Sequence, residues 1–186
     1  MFNDEDQIVK ILYNPLSYTH LSHLPEAFLP VNSYNMMLLN EWLYINKNLP
    51  DFDETQRDWY VCCEVLLKNW MKMSSVAHLT GGYLLREDLR GYTPLVLTDP
   101  LLSMFISLPL KTRVILPEAR YSPHDTLRCG AAFILRQFTL LPFAFRQRFL
   151  LIFPFEMELI NLDCSPDPDN FNLINMAINY ANNISR

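Results

Sequence analysis

Glycine is scarce in this chain and proline is abundant: the 186 residues include four glycines and 13 prolines. Proline fixes the backbone and interrupts helices, whereas glycine provides flexible hinges. The chain is therefore expected to have few hinges and many fixed breaks between its elements. It also has no internal repeat and no low-complexity tract.

Basic residues are also scarce relative to acidic ones. The formal net charge is −5, and basic residues occur only as short pairs such as Arg146 and Arg148. A protein that binds nucleic acid needs a basic face to neutralise phosphates. The charge pattern therefore argues against a nucleic-acid partner.

Long apolar runs are absent too, and a membrane span needs about 18 or more consecutive apolar residues. The nearest approach, Pro94 to Leu110, is broken by Asp99, Pro100 and Pro109. The N-terminal sequence MFNDEDQIVK is acidic and lacks the basic and apolar regions of a signal peptide. We therefore expect a cytoplasmic protein that lies against a membrane only through a partner.

The four cysteines do not form a C-x-x-C motif, which is the spacing typical of zinc and redox sites. Cys62 and Cys63 are adjacent, and adjacent residues do not face each other on a helix. We expect these two residues, together with Cys129 and Cys164, to be reduced and mostly buried thiols.

His20 and His23 are three residues apart and could share one face of a helix. Zinc would need two more ligands, or a third ligand and an open position. Glu26, His78 and His124 complete no known ligand pattern. We therefore predict no metal site and no cofactor.

Motifs of hydrolytic enzymes and of phosphate-binding loops are missing. The chain has neither a G-x-S-x-G nucleophile elbow nor an H-E-x-x-H zinc motif. Gly81-Gly82 lacks the glycine spacing and the Lys-Ser/Thr pair of a phosphate-binding loop. No catalytic residue is predicted, although catalytic partners that meet only in the fold leave a small metal-assisted hydrolase as an alternative.

The chain is rich in apolar residues: half of its residues are apolar and 13% are aromatic. This is enough for a hydrophobic core that needs no disulfide or metal to hold it together. Spacings of three and four between apolar residues predict a mainly α, compact domain of about seven or eight helices with proline-rich connections. We treat residues 1–186 as one domain, with a weak subdivision near 91–123 as the alternative. An extended segment or a short strand is expected near 112–116. The predicted helices are 4–13, 33–46, 54–73, 75–89, a short one after Asp99, 124–138, 143–153 and a last one capped by Asn170.

The helix predicted at 54–73 has the clearest pattern. Asp53 and Gln56 resemble a capping box at its start. One apolar stripe favours a core role for its tryptophans over a ligand platform. In the next helix, the adjacent Gly81 and Gly82 indicate either a kink or a close approach of two backbones. The stripe consists of Trp59, Cys62 or Cys63, Leu66, Trp70 and Met73.

Many large apolar and aromatic side chains accompany a few isolated arginines. Tyr, Trp, Phe, Met and Arg are the residues enriched at protein interfaces. The composition favours an interaction protein over an enzyme, and a well-filled core with a solvated rim explains it equally. The isolated arginines are Arg86, Arg90, Arg146 and Arg148.

Four segments of the chain contain distinctive sequence motifs. The first is ILYNPLSYTHLSHLP, with signature positions Ile11, Leu12, Asn14, Pro15 and Tyr18. The others are LLKNWMKMSSVAHLTGGYLLREDL, LPFAFRQRFLLIFPF and NMAINYANNIS. In this order the segments resemble the OrgA/MxiK family, the SctK component of bacterial type III secretion injectisomes. The resemblance departs at Asn14, where the family more often has Asp, and is weak over 31–51 and 93–120.

The resemblance implies a non-enzymatic adaptor of the cytoplasmic sorting platform, at the cytoplasmic face of the bacterial inner membrane. The implied partners are the cytoplasmic domain of an SctD/PrgH-like ring protein and an SctQ/SpaO-like pod protein. The SctL stator and the SctN ATPase would be reached indirectly through the pod. A type III secretion chaperone or regulator that binds a secreted protein is the alternative.

Within this framework, residues 11–25 are expected to form a folded edge rather than a chemical site. Ile11, Leu12 and Leu16 are expected in the core, and Pro15 at a turn. Tyrosines and a histidine of this segment would stand at or near the ring-facing surface, and arginines would make polar contacts with a partner. The predicted partner-binding residues are Tyr13, Tyr18, His20, Arg86, Arg146 and Arg148.

Overall fold

The computed structural model describes residues 4–26, 35–52, 58–90 and 98–183 of the chain. Within these ranges nine α-helices are joined by loops and single 3-10 turns, which confirms the mainly α class. The helices are α1 (Asp4–Tyr13), α2 (Met36–Asn46), α3 (Asp58–Lys68), α4 (Met73–Leu84), α5 (Arg86–Leu89), α6 (Pro100–Ile106), α7 (Thr126–Gln137), α8 (Phe143–Leu150) and α9 (Pro168–Asn183). The 3-10 turns are Pro15–Ser17, Leu21–His23, Trp70–Lys72 and Pro123–Asp125.

The segment expected to be extended near 112–116 contains one backbone pairing. Ile115 and Asp163 form an isolated antiparallel bridge, in which each backbone N–H donates to the other residue's carbonyl at 3.0 and 3.2 Å. In the ranges that the structure describes, this pairing does not extend into a strand.

The described residues group into two compact units. The first unit lies within Met1–Met71 and Leu140–Met157 and contains α1 to α3 and α8. The second unit lies within Lys72–Thr139 and Glu158–Arg186 and contains α4 to α7 and α9. That residues 1–186 behave as one domain stays a prediction.

The core of the first unit is rich in aromatic rings. Trp70 is fully buried and makes edge-to-face contacts with Tyr18, Phe145 and Phe149, at centroid distances of 5.7, 6.2 and 5.9 Å. Such contacts align the positive edge of one ring with the negative face of the next. Trp59 is also buried and lies 4.9 Å from Phe145. Both tryptophans are therefore core residues, as predicted.

The prediction of a single helix over 54–73 is wrong, because the helix is interrupted near its C-terminal end. The helix α3 stops at Lys68, a 3-10 turn follows, and α4 begins at Met73. Asn69 lies at the break, and its side-chain amide donates to the carbonyl of Val65 at 2.8 Å. Asparagine side chains compete with helical backbone bonds in this way, which favours a break at this position. The same bond from Asn40 to Met36 leaves α2 unbroken.

One other predicted helix is divided in the structure. The helix predicted at 75–89 divides at Leu85 into α4 and α5. The predicted capping box at Asp53 and Gln56 lies outside the described residues, and so do positions 33–34 of the second predicted helix.

In the second unit, α4 and α7 pack with their backbones in contact. A Cβ on Gly81 would lie 1.8 Å from the carbonyl oxygen of Thr126, and one on Gly130 would lie 1.8 Å from that of Ala77. Since every other residue carries a Cβ, glycine is required at both positions for this approach. Of the two alternatives predicted for Gly81-Gly82, a kink or a close approach of two backbones, the structure has the close approach, at Gly81.

The last helix begins earlier than predicted, and Asn170 does not cap it. Pro168 occupies the first turn of α9, and the carboxylate of Asp167 accepts from the backbone N–H two residues later at 2.9 Å. Aspartate before proline is a favourable helix start, since proline needs no N–H partner there. The buried Asn170 instead accepts from the N–H of Arg113 and donates to the carbonyl of Ser165, both at 3.2 Å.

Candidate protein-docking surface

The segment after α1 folds back on that helix through polar side chains. The Tyr18 hydroxyl donates to the carbonyl of Ile11 at 2.7 Å, and the Thr19 hydroxyl donates to the carbonyl of Pro15 at 2.8 Å. Pro15 opens a 3-10 turn, where the missing N–H leaves no bond unmade. Burial raises the pKa of Tyr18, so its hydroxyl stays a donor. Ile11 and Leu12 are buried, as predicted.

The same segment also contacts α2. The N–H of Leu16 donates to Oδ1 of Asn40 at 2.9 Å. The side chain of Leu16, partly buried, packs against Leu24, Leu39 and Leu43. Leu39 and Leu43 lie four residues apart, so this contact covers one side of α2 only.

Arg148 is only 1% exposed, although the sequence predicts a partner contact for it. Its guanidinium donates to the carbonyls of Leu12 at 3.1 and 3.2 Å, Pro50 at 2.9 Å and Ala144 at 3.1 Å. A buried charge is tolerated where hydrogen bonds replace its lost hydration. This geometry gives Arg148 a structural role in the first unit and argues against a direct partner contact.

The other predicted partner-binding residues of the first unit are more accessible. Tyr13 is 66% exposed at the end of α1. His20 is exposed, and its Nδ1 lies 2.8 Å from the hydroxyl of Ser22. Arg146 is half-buried and donates from Nε to the carbonyl of Leu141 at 2.8 Å. Partner binding by these residues stays a prediction.

Arg86 lies in the second unit and is held by its neighbours. Its guanidinium donates to the carbonyl of Tyr83 at 3.1 Å and lies 4.3 Å from the centroid of that ring. Its Nε is 3.7 Å from a carboxylate oxygen of Glu87. Arg90 binds the other oxygen of the same carboxylate at 2.8 Å. A partner contact by Arg86 likewise stays a prediction.

The loop after α8 runs beside the segment that contains the two N-terminal histidines. The N–H of His20 donates to the carbonyl of Leu151 at 2.8 Å, and Nε2 of His23 donates to that of Phe153 at 2.7 Å. A carbonyl only accepts, so Nε2 carries the proton and Nδ1 carries a lone pair. Burial lowers the pKa of His23, against the opposing effect of the Phe153 hydrogen bond. His23 is therefore held as the neutral imidazole.

A cavity of about 220 Å³ opens beside this loop in the first unit. We name it the Phe155 cavity, and the residues that matter most in its wall are His23, Lys47, Leu49, Gln147, Phe155 and Met157. Phe155 is 61% exposed. Its ring makes an edge-to-face contact with the ring of His23, at a centroid distance of 5.4 Å. The Lys47 ammonium nitrogen lies 4.1 Å from the centroid of Phe155 on its face. The cavity thus combines apolar walls with a cation.

The side of α2 opposite its buried leucines is apolar and exposed. Met37 is 80% exposed, and Leu38 and Ile45 are exposed as well. Glu41 is the exposed charge among them. A helix in contact with water normally places polar residues on this side. We name this surface the outer face of α2, and it consists of Met37, Leu38, Glu41 and Ile45.

In the second unit, His78 lies between a carboxylate and a hydroxyl. Its Nε2 is 2.7 Å from Asp99 and its Nδ1 is 2.8 Å from Oγ1 of Thr126, an order that resembles a catalytic triad. The Thr126 hydroxyl, however, is buried and donates to the carbonyl of Pro123 at 2.8 Å. Asp99 also accepts from the N–H of Leu102 at 2.9 Å at the start of α6. The cluster therefore connects α4, α6 and α7 and presents no accessible nucleophile.

The two N-terminal histidines do not converge on a common point. Nδ1 of His20 is hydrogen-bonded to Ser22, whereas Nε2 of His23 is hydrogen-bonded to the carbonyl of Phe153. Over the described ranges, three or more His, Cys, Asp or Glu side chains are nowhere grouped to hold a metal ion.

All four thiols are free. Burial raises the pKa of Cys63 and of Cys129 to about 12 each, which keeps both thiols protonated and unreactive. Cys164 is partly buried, and Cys62 is exposed on α3, against the expectation for that residue. In the part of the chain that the structure describes, no helix has the length and apolar character to cross a membrane.

Sequence reasoning missed the Phe155 cavity and the outer face of α2. The cavity depends on Lys47 and Phe155, which are far apart in sequence, so no local pattern reveals it. The outer face of α2 did leave a signal, because four consecutive apolar residues at 36–39 cannot all lie on one side of a helix.

A comparison with protein families gives one match over most of the chain. A family model described as bacterial type III secretion apparatus protein (OrgA_MxiK) matches residues 8–183. No curated protein and no solved structure matches the chain.

Proposed function

Because this chain belongs to the OrgA/MxiK family of bacterial type III secretion apparatus proteins, we propose that it is a non-enzymatic adaptor of that apparatus. It works at the cytoplasmic face of the inner membrane, in the sorting platform. There it links the cytoplasmic domain of the SctD/PrgH-like ring protein to the SctQ/SpaO-like pod protein. The SctL stator and the SctN ATPase are reached through the pod.

The observation that carries this proposal is the outer face of α2. Methionine, leucine and isoleucine side chains there are exposed to water around a single glutamate. Contiguous exposed apolar surface favours association, and an unbranched methionine adapts to different partners. An adaptor needs such a surface, whereas an enzyme needs accessible reactive groups.

The N-terminal segment supplies the polar part of the same proposal. Tyr13 and His20 are exposed and contact the ring protein, while Tyr18 fixes the segment by its bond to Ile11. Arg146, which is half-buried, contributes a further polar contact with a partner. Arg148 is 1% exposed, so in this proposal it has a structural role.

A co-expression pull-down tests the proposal. The tagged chain is produced with the ring protein's cytoplasmic domain and with the pod protein from the same secretion locus. We expect capture of both proteins, and capture of the two together supports the linking role directly. Failure of a folded sample to capture either protein contradicts the proposal.

A pair of matched variants locates the contact. The double variant Met37→Gln with Ile45→Gln removes apolar surface from α2 and is expected to lose at least one partner. The double variant Met104→Gln with Ile115→Gln makes the same two changes at exposed positions of the second unit and is expected to retain both partners. Equal capture by the two variants contradicts a role for the outer face of α2.

The same experiment separates the alternative function. A chaperone or regulator would capture a secreted protein of the locus and neither platform protein. Including the secreted proteins in the co-expression panel makes this outcome visible.

A further inference from the structure

The Phe155 cavity contains two polar groups without a counterpart. Across the described ranges, Lys47 forms no ion pair with a carboxylate, and Nδ1 of His23 has no hydrogen-bond partner. Buried polar groups are normally hydrogen-bonded, to protein or to water, so unmatched groups in a cavity wall are available to a ligand or a partner. Apart from Gln147, the other residues of the cavity wall have apolar side chains.

Lys47 is the group that determines what the cavity can bind. Its side chain is half-buried, and its ammonium rests on the ring of Phe155 at 4.1 Å. Burial removes part of the hydration of this charge and thereby lowers the pKa of Lys47. A cation–π contact replaces some of that hydration but brings no opposite charge. A carboxylate beside the ammonium would supply that opposite charge.

We propose that the Phe155 cavity receives a polypeptide segment of a partner protein in which a large apolar side chain stands beside an aspartate or glutamate. The apolar side chain packs against Leu49, Phe155 and Met157, and the carboxylate faces the ammonium of Lys47. The amide of Gln147 bonds to the backbone of the segment. Since a partner of the adaptor supplies the segment, this docking site rests on the proposed function.

The size of the cavity favours a side chain over a cofactor. Sites for small molecules typically enclose about 300–1,000 Å³, whereas this cavity measures about 220 Å³. Interface hot spots are typically large side chains that fill well-packed pockets. Phe155 is exposed and forms one wall, so the incoming side chain would cover it.

Methyl NMR on the full chain with ¹³C-labelled methionine tests the site. Met157 lines the cavity, and Met104 is an exposed methionine of the second unit that serves as an internal reference. The probes are the ring domain, the pod protein and short overlapping peptides from both. We expect the Met157 methyl signal to shift while that of Met104 does not. The binding peptides should carry an acidic residue beside a large apolar one.

Charge variants then test the carboxylate contact. Lys47→Glu is expected to weaken binding of the selected peptide by about tenfold or more, because two carboxylates would face each other. Lys111→Glu makes the same charge change at an exposed position of the second unit and should alter binding by less than about twofold. Replacing the acidic residue of the peptide with lysine should restore binding to the Lys47→Glu chain.

Two results would overturn the docking site. One is unchanged affinity for Lys47→Glu, or for a peptide whose acidic residue is replaced by its amide. The other is capture of a platform protein with no shift of Met157, in which case the adaptor function stands and the site does not. Absence of binding by both platform proteins instead contradicts the proposed function itself, and the site with it.

Discussion

The two units expose apolar surface to very different extents. Among described residues, the second unit exposes the large apolar side chains of Met104, Ile115 and Leu159. In the first unit, which has fewer described residues, the exposed set is Val9, Tyr13, Leu21, Met36, Met37, Leu38, Ile45, Val61, Val65, Met71, Leu140, Phe143, Leu150 and Phe155. Exposed apolar surface disfavours solubility, and its concentration in one unit is the reason that we place the proposed partner contacts there.

The two cores differ as well. In the second unit, α4 and α7 meet backbone to backbone at Gly81 and Gly130, which leaves little room for rearrangement. In the first unit, aromatic rings surround Trp70, and the buried Arg148 joins three stretches of backbone. The comparison suggests a rigid frame in the second unit and a contact surface on the first.

The largest effect on stability is expected from Arg148→Ala in the first unit. The change leaves the carbonyls of Leu12 and Pro50 without the guanidinium that binds them and removes a packed side chain. Unmatched buried polar groups cost about 1–3 kcal/mol each, so we expect the free energy of unfolding to fall by about 3 kcal/mol or more. Urea denaturation followed by tryptophan fluorescence measures it.

The matched control for that variant is Arg146→Ala. Arg146 is half-buried on the same helix and is expected to contribute about 1 kcal/mol or less. A similar loss of stability in both variants would contradict the structural role of Arg148.

In the second unit, Gly130→Ala should disrupt the contact between α4 and α7. The added methyl would collide with the backbone of Ala77, so the helices must separate. Overpacking of this kind costs about 1–3 kcal/mol, which exceeds the gain of about 1 kcal/mol from replacing glycine in a helix. Thermal unfolding should therefore show a lower Tm.

The control for Gly130→Ala is Gly82→Ala, on the neighbouring position of α4. A methyl at Gly82 would meet the side chain of Leu102, which can rotate away more readily than backbone can. We expect a smaller fall in Tm for this variant. The reverse order would contradict the role given to the close backbone approach.

A smaller effect concerns the pH dependence of the first unit. Burial lowers the pKa of His23 below its ordinary value of 6.5, so below that pH the unfolded chain binds a proton that the folded chain does not. The free energy of unfolding should therefore fall as the pH drops below about 6.5, through the folded pKa. Urea denaturation at neutral pH and at about pH 5 measures the slope.

His23→Gln provides the comparison for this slope. The glutamine amide can still donate to the carbonyl of Phe153 but does not titrate. The variant should lose less stability than the parent chain on acidification. Identical slopes for the two proteins would show that His23 is not held neutral.

The smallest effect on stability is expected from Met37→Gln on the outer face of α2. The side chain is 80% exposed, so its replacement should change the free energy of unfolding by less than about 0.5 kcal/mol. Unfolding of the purified variant by urea measures this directly. A large loss of stability would mean that Met37 packs within the chain, and the pull-down result for α2 would lose its meaning.

Much of the secondary structure follows from local pattern. Pro15 ends α1, and Asp99 caps α6, as the sequence indicates. The adjacent Gly81 and Gly82 correctly signalled a close backbone approach, because glycine is needed where a Cβ would clash. The start of α9 was misplaced because Asp167 and Asn170 are both good caps, and only the fold decides which side chain is buried.

The surface was harder to predict than the helices. Arginine is typical of interfaces, which led to a partner contact for Arg148, but the same side chain is also suited to binding several buried carbonyls. Composition does not distinguish these two uses. The role of Tyr18 could not be predicted from composition either, because its hydroxyl reaches the carbonyl of Ile11 only after the chain has turned at Pro15.

Hydrogen exchange of the full chain, measured by mass spectrometry with and without the ring domain and the pod protein, tests the central claim most directly. We expect partner-dependent protection in the first unit, at the segment 15–26, α2 and the loop at 151–157. The helices α4 and α7 of the second unit should exchange as they do in the free chain. Protection confined to the second unit, with the first unit unchanged, would contradict the assignment of the contact surface.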